Sequence, residues 1–293
     1  MWAARPQGGE ANGPGWTARA VPNLYPLLGT GGPADVAGDT GVASAADPLR
    51  ASARERAPDL FAHLPAEGSH EVIVSAPEHV ASLSELDEER FAGTVAAWRE
   101  RLRAHSDASY GHLIVNEGPD AGASLEHTHA QLYAMPFVPA AVARERERFA
   151  AYHERTMGGH LLSDVAAEEV RRRDRLVAID DEALLVCPWA SRSPFELRVL
   201  PRGPNPSFEA EDGTGTAMLR TALVGLASLF GSAPQLNLWV RTAPRGVEEF
   251  HWHVDVLPRL TVRAGFEMGT GVEVNTYPPE RAAAELRDAL GSD

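Results

Sequence analysis

Apolar positions recur along the chain in two rhythms. His70-Glu-Val-Ile-Val-Ser75 alternates with the period of two that marks a half-buried strand. Ser84-Glu-Leu-Asp87 carries a capping-box pattern and opens a predicted helix. Phe91, Val95, Trp98 and Leu102 then fall at helical spacing, so one helix face is expected to be buried. Leu113-Ile-Val115 reads as the next strand, followed by a glycine-bearing loop over 116–124 and another strand over 127–135. The second half repeats this order. Phe195-Glu-Leu-Arg-Val199 is a strand, Leu219, Leu223, Leu226 and Phe230 mark a helix, and Leu236-Asn-Leu-Trp-Val240 is a strand. A loop with Gly246 then leads to His251-Trp-His-Val-Asp255.

The two halves agree in register as well as in order. Ser82 and Ser207 are 125 residues apart, as are Val115 and Val240; His127 and His251, and His129 and His253, are 124 apart. Four matches in sequence argue for an internal duplication, and the repeat is too long for a solenoid. The expected fold class is therefore α+β, built from two tandem related domains over 17–158 and 159–293. Residues 17–28 read as a short extended segment. Residues 1–16 are rich in Gly, Ala and polar side chains and are expected to be disordered. Residues 30–56 hold few large apolar side chains and read as a flexible insertion.

Composition narrows the function classes. A net charge of −14 and a pI near 5.2 exclude a nucleic-acid scaffold with a basic face, but leave room for a nucleotide ligand in a local donor-rich site. No apolar run approaches the ~18 residues that span a bilayer. The start of the chain lacks a basic-then-apolar signal pattern. A single cysteine, Cys187, forms no internal disulfide, and a cytoplasmic setting is expected. Cys187 lies in an apolar stretch and reads as a small core residue. Arg171-Arg-Arg173 reads as a solvated helix end, and His105, His112, His153 and His160 as isolated, solvent-facing or locally paired side chains.

The chemistry concentrates in His127-Thr-His-Ala-Gln131. In a strand, alternate residues share a face, so His127, His129 and Gln131 point one way and Thr128 and Ala130 the other. Two imidazoles and an amide on one face are costly to bury without partners. The preceding loop carries Gly118 and Gly122, whose backbone can approach an anion closely, while Asn116 and Ser124 add side-chain donors. A neutral imidazole attacks phosphorus if its other nitrogen is held by a backbone carbonyl. His129 is the expected nucleophile. Gln131 donates to a phosphoryl oxygen and cannot act as a proton donor, which favours transfer to an acceptor oxygen over hydrolysis.

The segment from Asn116 to Gln131 resembles the active-site segment of galactose-1-phosphate uridylyltransferases, the transferase branch of the histidine-triad superfamily. The similarity runs from about Ala20 to the C-terminus. It includes Val21-Pro-Asn-Leu-Tyr25, His70-Glu-Val-Ile-Val, Ala76-Pro-Glu-His79, Pro194-Phe-Glu196, His251–Leu260 and Ala264–Val272. It implies two histidine-triad-like domains, each a mostly antiparallel sheet with helices packed on it. It implies uridylyl exchange between UDP-glucose and galactose 1-phosphate through a covalent uridylyl-histidine on His129, with Gln131 and Ser124 on phosphoryl oxygens and Asn116 on the phosphate loop. Asn23 matches a nucleotide-contacting position, and Glu267 a position that binds sugar hydroxyls.

The resemblance also implies metals, and here the chain departs from the pattern. Zinc in the family is held by a Cys-x-x-Cys pair and two histidines. His79 and His127 stand at the histidine positions, the cysteine pair is absent, and the chain is expected to begin downstream of it; two ligands do not close a tetrahedral site. At the second family site stand Glu145, Arg241, His253 and Asp255, where a salt-bridged cluster is expected in place of a metal, since Arg241 cannot ligate one. The partners implied are a UDP-sugar, a sugar 1-phosphate and a second copy of the chain in a homodimer, with no nucleic acid and no membrane. Two alternatives stay open: a nucleotide-sugar phosphorylase or adenylyltransferase with another base or acceptor, and a catalytically weakened nucleotide-binding paralogue.

Overall fold

The structure, a computed structural model, describes residues 1–5, 8–10, 13–29 and 66–291. The insertion expected over 30–56 lies outside the described residues. The strands are β1 (Trp2–Ala4), β2 (Ala18–Pro22), β3 (Ser69–Val74), β4 (Tyr110–Glu117), β5 (His129–Met135), β6 (Leu176–Ile179), β7 (Ala183–Val186), β8 (Leu197–Pro201), β9 (Leu236–Arg241) and β10 (His253–Pro258). The helices are α1 (Glu88–Ala104), α2 (Ala140–Thr156), α3 (Leu161–Arg172), α4 (Thr216–Phe230), α5 (Gly265–Thr270) and α6 (Pro279–Leu290). None is long and apolar enough to cross a membrane.

The described strands form one sheet in the order β1-β2-β3-β5-β4-β9-β10-β8-β7-β6, with every neighbouring pair antiparallel. The order reads symmetrically about the β4–β9 seam, where Ile114 pairs with Trp239 and Asn116 with Asn237. The halves thus share a sheet instead of standing apart as separate globules. They also share a core, in which Phe91, Trp98 and Leu132 of the first half and Leu219, Leu238 and Trp252 of the second belong to one buried cluster.

The symmetry extends to hydrogen bonds. Leu83 N–H donates to Glu117 Oε1 (2.7 Å), and Phe208 N–H to Thr242 Oγ1 (3.1 Å). Thr128 N–H donates to the Val80 carbonyl (2.8 Å), and Trp252 N–H to that of Asn205 (2.9 Å). His127 Nε2 meets the Ala76 carbonyl at 3.0 Å, and His251 Nε2 that of Pro201 at 3.0 Å. Each pair is offset by 124 or 125 residues, the offset read from the sequence.

α1 forms where its apolar spacing places it: Phe91, Val95, Trp98 and Leu102 are all buried. Its start differs from the expectation. The helix is capped by Asp87, whose carboxylate accepts from Arg90 N–H, and the capping box belongs to Ser82 and Glu85 in a short 3-10 turn just before it. Residues 2–4 also correct the expected disorder. They form edge strand β1, pairing Trp2 with Ala20, because the β2 edge supplies the backbone partners and Trp2 packs against the core. Cys187 is buried as expected, and burial pushes its thiol well above the usual range. Arg171 and Arg172 pair with Glu168 at the end of α3.

Candidate active site

Alternation along β5 separates two functions. Ala130 and Leu132, both fully buried, face the core beneath α1. Gln131 and Tyr133 face the other way, and the register continues that face across the sheet: Val72, Gln131, Ile114, Trp239 and Asp255 form one cross-strand row. His127 lies just outside the strand, so its position is set by the turn that enters β5.

His129 Nδ1 is 2.8 Å from the His127 carbonyl. A carbonyl only accepts, so Nδ1 carries the proton and Nε2 keeps its lone pair. The ring is 7% exposed and Nε2 has no protein partner among the described residues. His127 Nε2 donates in the same manner to the Ala76 carbonyl, which leaves only its Nδ1.

Gln131 is held by two residues that alternation alone did not single out. Its Oε1 accepts from Tyr133 Oη–H (2.9 Å) and meets His70 Nε2 at 3.0 Å. Leu27 N–H donates to His70 Nδ1 (3.2 Å), so Nε2 bears the proton and gives it to Gln131. The opposite tautomer would set two donors and two acceptors face to face. The His70 ring also stacks on Tyr133, centroids 4.1 Å apart, and burial lowers its pKa against the opposing bond to Gln131. With its carbonyl doubly engaged, Gln131 must turn its NH2 outward. Asn23 stands beside this cluster: its Nδ2, a donor, lies 3.1 Å from His70 Nε2, whose proton goes to Gln131, so no bond joins them, while its Oδ1 accepts from Tyr25 N–H.

The loop before β5 is braced from the other half. Asn237 Nδ2 donates to both Asn116 Oδ1 and the Ala121 carbonyl, each at 2.8 Å, leaving the Asn116 NH2 without a partner among the described residues. Gly118 has φ +85°, and a Cβ there would meet Gln235 at 2.4 Å; this glycine serves packing. Gly122 has φ +83° and open space around it, so it is the glycine that keeps the backbone approachable. Ser124 is exposed at the end of the loop. Beneath it, buried Glu117 accepts from Ser82 Oγ, Leu83 N–H and Thr128 Oγ1, all at 2.7 Å. This ties the α1 entry to the turn that aims His129.

His79 and His127 are neighbours, ring centroids 5.5 Å apart. Among the described residues, however, no group of three or more His, Cys, Asp or Glu is placed to hold a metal ion. Cys187 sits in the core of the other half. These residues do not fit a tetrahedral zinc site.

The second-half counterpart is built alike and then covered. His253 Nδ1 meets the His251 carbonyl at 3.2 Å, but the ring is 0% exposed. α2 lies over it and brings Glu145 within 3.5 Å of His253 Nε2 and 3.7 Å of Arg241 Nε. Asp255 is bonded by Arg198 (2.7 and 3.2 Å) and Arg192 (2.9 Å), which hold its carboxyl far below the usual range despite burial. Guanidinium groups, then, take up the carboxylate oxygens. Glu267 is not brought to the His129 cluster: it lies on exposed α5, its carboxylate accepting from Ala264 N–H.

The fold is that of the uridylyltransferases. A solved uridylyltransferase structure superposes with a TM-score of 0.80 at 24% identity, covering 99% of this chain and 93% of its own. Residues 42–139 match the profile of galactose-1-phosphate uridyl transferase, N-terminal domain. The ADP-glucose phosphorylase of Arabidopsis thaliana is 25% identical over 94% of this chain and 75% of its own. The galactose-1-phosphate uridylyltransferase of Cryptococcus neoformans is 27% identical over 83% of this chain and 71% of its own. In fold, and in sequence over residues 42–139, the chain is thus similar to galactose-1-phosphate uridylyltransferases.

Proposed function

We propose that this protein transfers a nucleotidyl group from a nucleotide sugar to a phosphate-bearing acceptor through a covalent intermediate on His129. The observation that carries this reading is the His129 ring, protonated on the nitrogen that faces the His127 carbonyl and free on the other. Nε2 attacks the α-phosphorus; the N–P bond forms as the P–O bond to the sugar 1-phosphate breaks. The acceptor's phosphate oxygen then attacks the same phosphorus and the N–P bond breaks. Each leaving group is a stable phosphate anion or the imidazole itself, so no general acid is needed. Gln131, with its NH2 turned outward, suits this chemistry: it stabilises charge on a phosphoryl oxygen without supplying a proton. Asn116, Ser124 and Asn23 serve the phosphates and the nucleotide.

The substrates we assign are UDP-glucose and galactose 1-phosphate, with Glu267 binding sugar hydroxyls in a homodimer. A second reading, phosphorolysis of ADP-glucose, is favoured by the likeness to the Arabidopsis phosphorylase over 94% of this chain. Incubation with UDP-glucose or ADP-glucose labelled at the α-phosphorus tests both. Acid-labile label is expected on the wild type and not on His129→Ala. Equal labelling of the two proteins would refute the covalent mechanism, and the nucleotide that labels faster identifies the base.

A further inference from the structure

On the helix-covered side of the sheet, away from His129, a cleft of about 440 Å³ opens between α1 and α4. It falls within the ~300–1,000 Å³ typical of small-ligand sites. Ala92 and Ala96 of α1 and Ala217 of α4 leave the space, and three arginines reach it: Arg99, Arg103 and Arg220. Arg103 is neutralised by Asp212 at 2.6 Å. The other two are not paired with any carboxylate among the described residues.

Arg99 is the informative one. It is 2% exposed, its Nε is buried without a partner, and it gives one hydrogen bond, from Nη2 to the Thr214 carbonyl (2.6 Å). Burial lowers its pKa to about 10, with acidic groups at longer range opposing. Its guanidinium lies 4.2 Å from the centroid of the Phe208 ring. Such a contact offsets only part of the cost of burying an ion. No carboxylate among the described residues is bonded to Arg99 to complete this balance.

The start of α4 faces the same cleft. Its N-cap is Gly215, which offers no side chain, and its first turn holds no acid. The N–H groups of Ala217 and Met218 have no acceptor among the described residues. Such a helix start favours a phosphate. On the cleft's other walls, Glu88 and Glu182 carry carboxylates with no ion pair or hydrogen bond to a described residue. Free carboxylates accept hydrogen bonds from hydroxyl groups.

We infer that this cleft binds a phosphorylated sugar, its phosphate on Arg99, Arg220 and the first turn of α4, and its hydroxyls on Glu88 and Glu182. The site is separate from the catalytic face, so its test does not depend on the reaction. Calorimetric titration of the full chain with glucose 6-phosphate should show binding, tighter than that of inorganic phosphate, and glucose should give none. Arg220→Gln and Ala96→Trp, both at positions that leave the core intact, should each weaken it about tenfold or more. His129→Ala should leave it unchanged. Absence of heat, equal affinity for inorganic phosphate, retention in both cleft variants, or loss in His129→Ala would each overturn the assignment.

Discussion

His129 and Gln131 owe their readiness to different kinds of neighbour. His129 is oriented by a carbonyl two residues back, in the turn that enters its strand. Gln131 is oriented by Tyr133, two residues on, and by His70, which is 61 residues away in sequence. The Tyr133 hydroxyl is the separable part of this arrangement. Tyr133→Phe removes one of two bonds to Oε1 while preserving the stacked ring, so the amide gains freedom to rotate. We expect kcat to fall about tenfold with little change in KM and a stability loss within ~1 kcal/mol. Steady-state kinetics beside a denaturant titration would show this, and an unchanged kcat would remove Tyr133 from the positioning role.

At the scale of elements, the join between β3 and α1 bears most directly on the site, because β3 carries His70. Arg101 of α1 makes two bonds of 2.8 Å to Glu71, which also meets His105 at 3.2 Å. Burial pushes the Glu71 carboxyl up, but its bonds to His105 and Arg101 prevail and bring it down to about 2. The sign follows from the depressed value: the folded state prefers the ionised form, so this stability is present above the ordinary value of 4.5 and is lost as pH falls toward 2. Discounted for solvent screening, its size is about 1–2 kcal/mol. Chemical denaturation of Glu71→Gln should show reduced stability at neutral pH and a shallower decline between these limits. A variant that loses stability in parallel with the wild type would place the effect elsewhere.

For the molecule as a whole, the sheet carries two similar sites on one face and leaves one of them open. α2 seals the second-half copy, so His253 is fully buried although its local hydrogen bond matches that of His129. The segment around α5 stays outside the body, with Val262 at 89% exposure and Met268 at 70%. Exposed apolar side chains beside Glu267 suit contact with a second copy. In the proposed dimer, His129→Ala mixed with Glu267→Ala should recover activity that neither shows alone, since one site of the mixed pair has both residues. No recovery after subunit exchange would mean that each chain completes its own site.

Much of this was legible in the chain. Period-two alternation placed Gln131 opposite Ala130, helical spacing chose the buried side of α1, and a constant offset exposed the paired halves. These are local or repeated patterns, which a linear sequence records. Where α1 begins was less legible, because Ser82, Ser84 and Asp87 all suit a cap and only the 3-10 turn selects among them. Edge strand β1 was missed because its three residues are held by pairing to β2, not by their own composition. His70, Tyr133, Asn237 and Glu117 gained their roles only from the fold. Each acts through a hydrogen bond whose partner is fixed by strand register, by the β4–β9 seam or by the turn into β5, and hydrogen bonds act over ångströms in space without regard to distance along the chain.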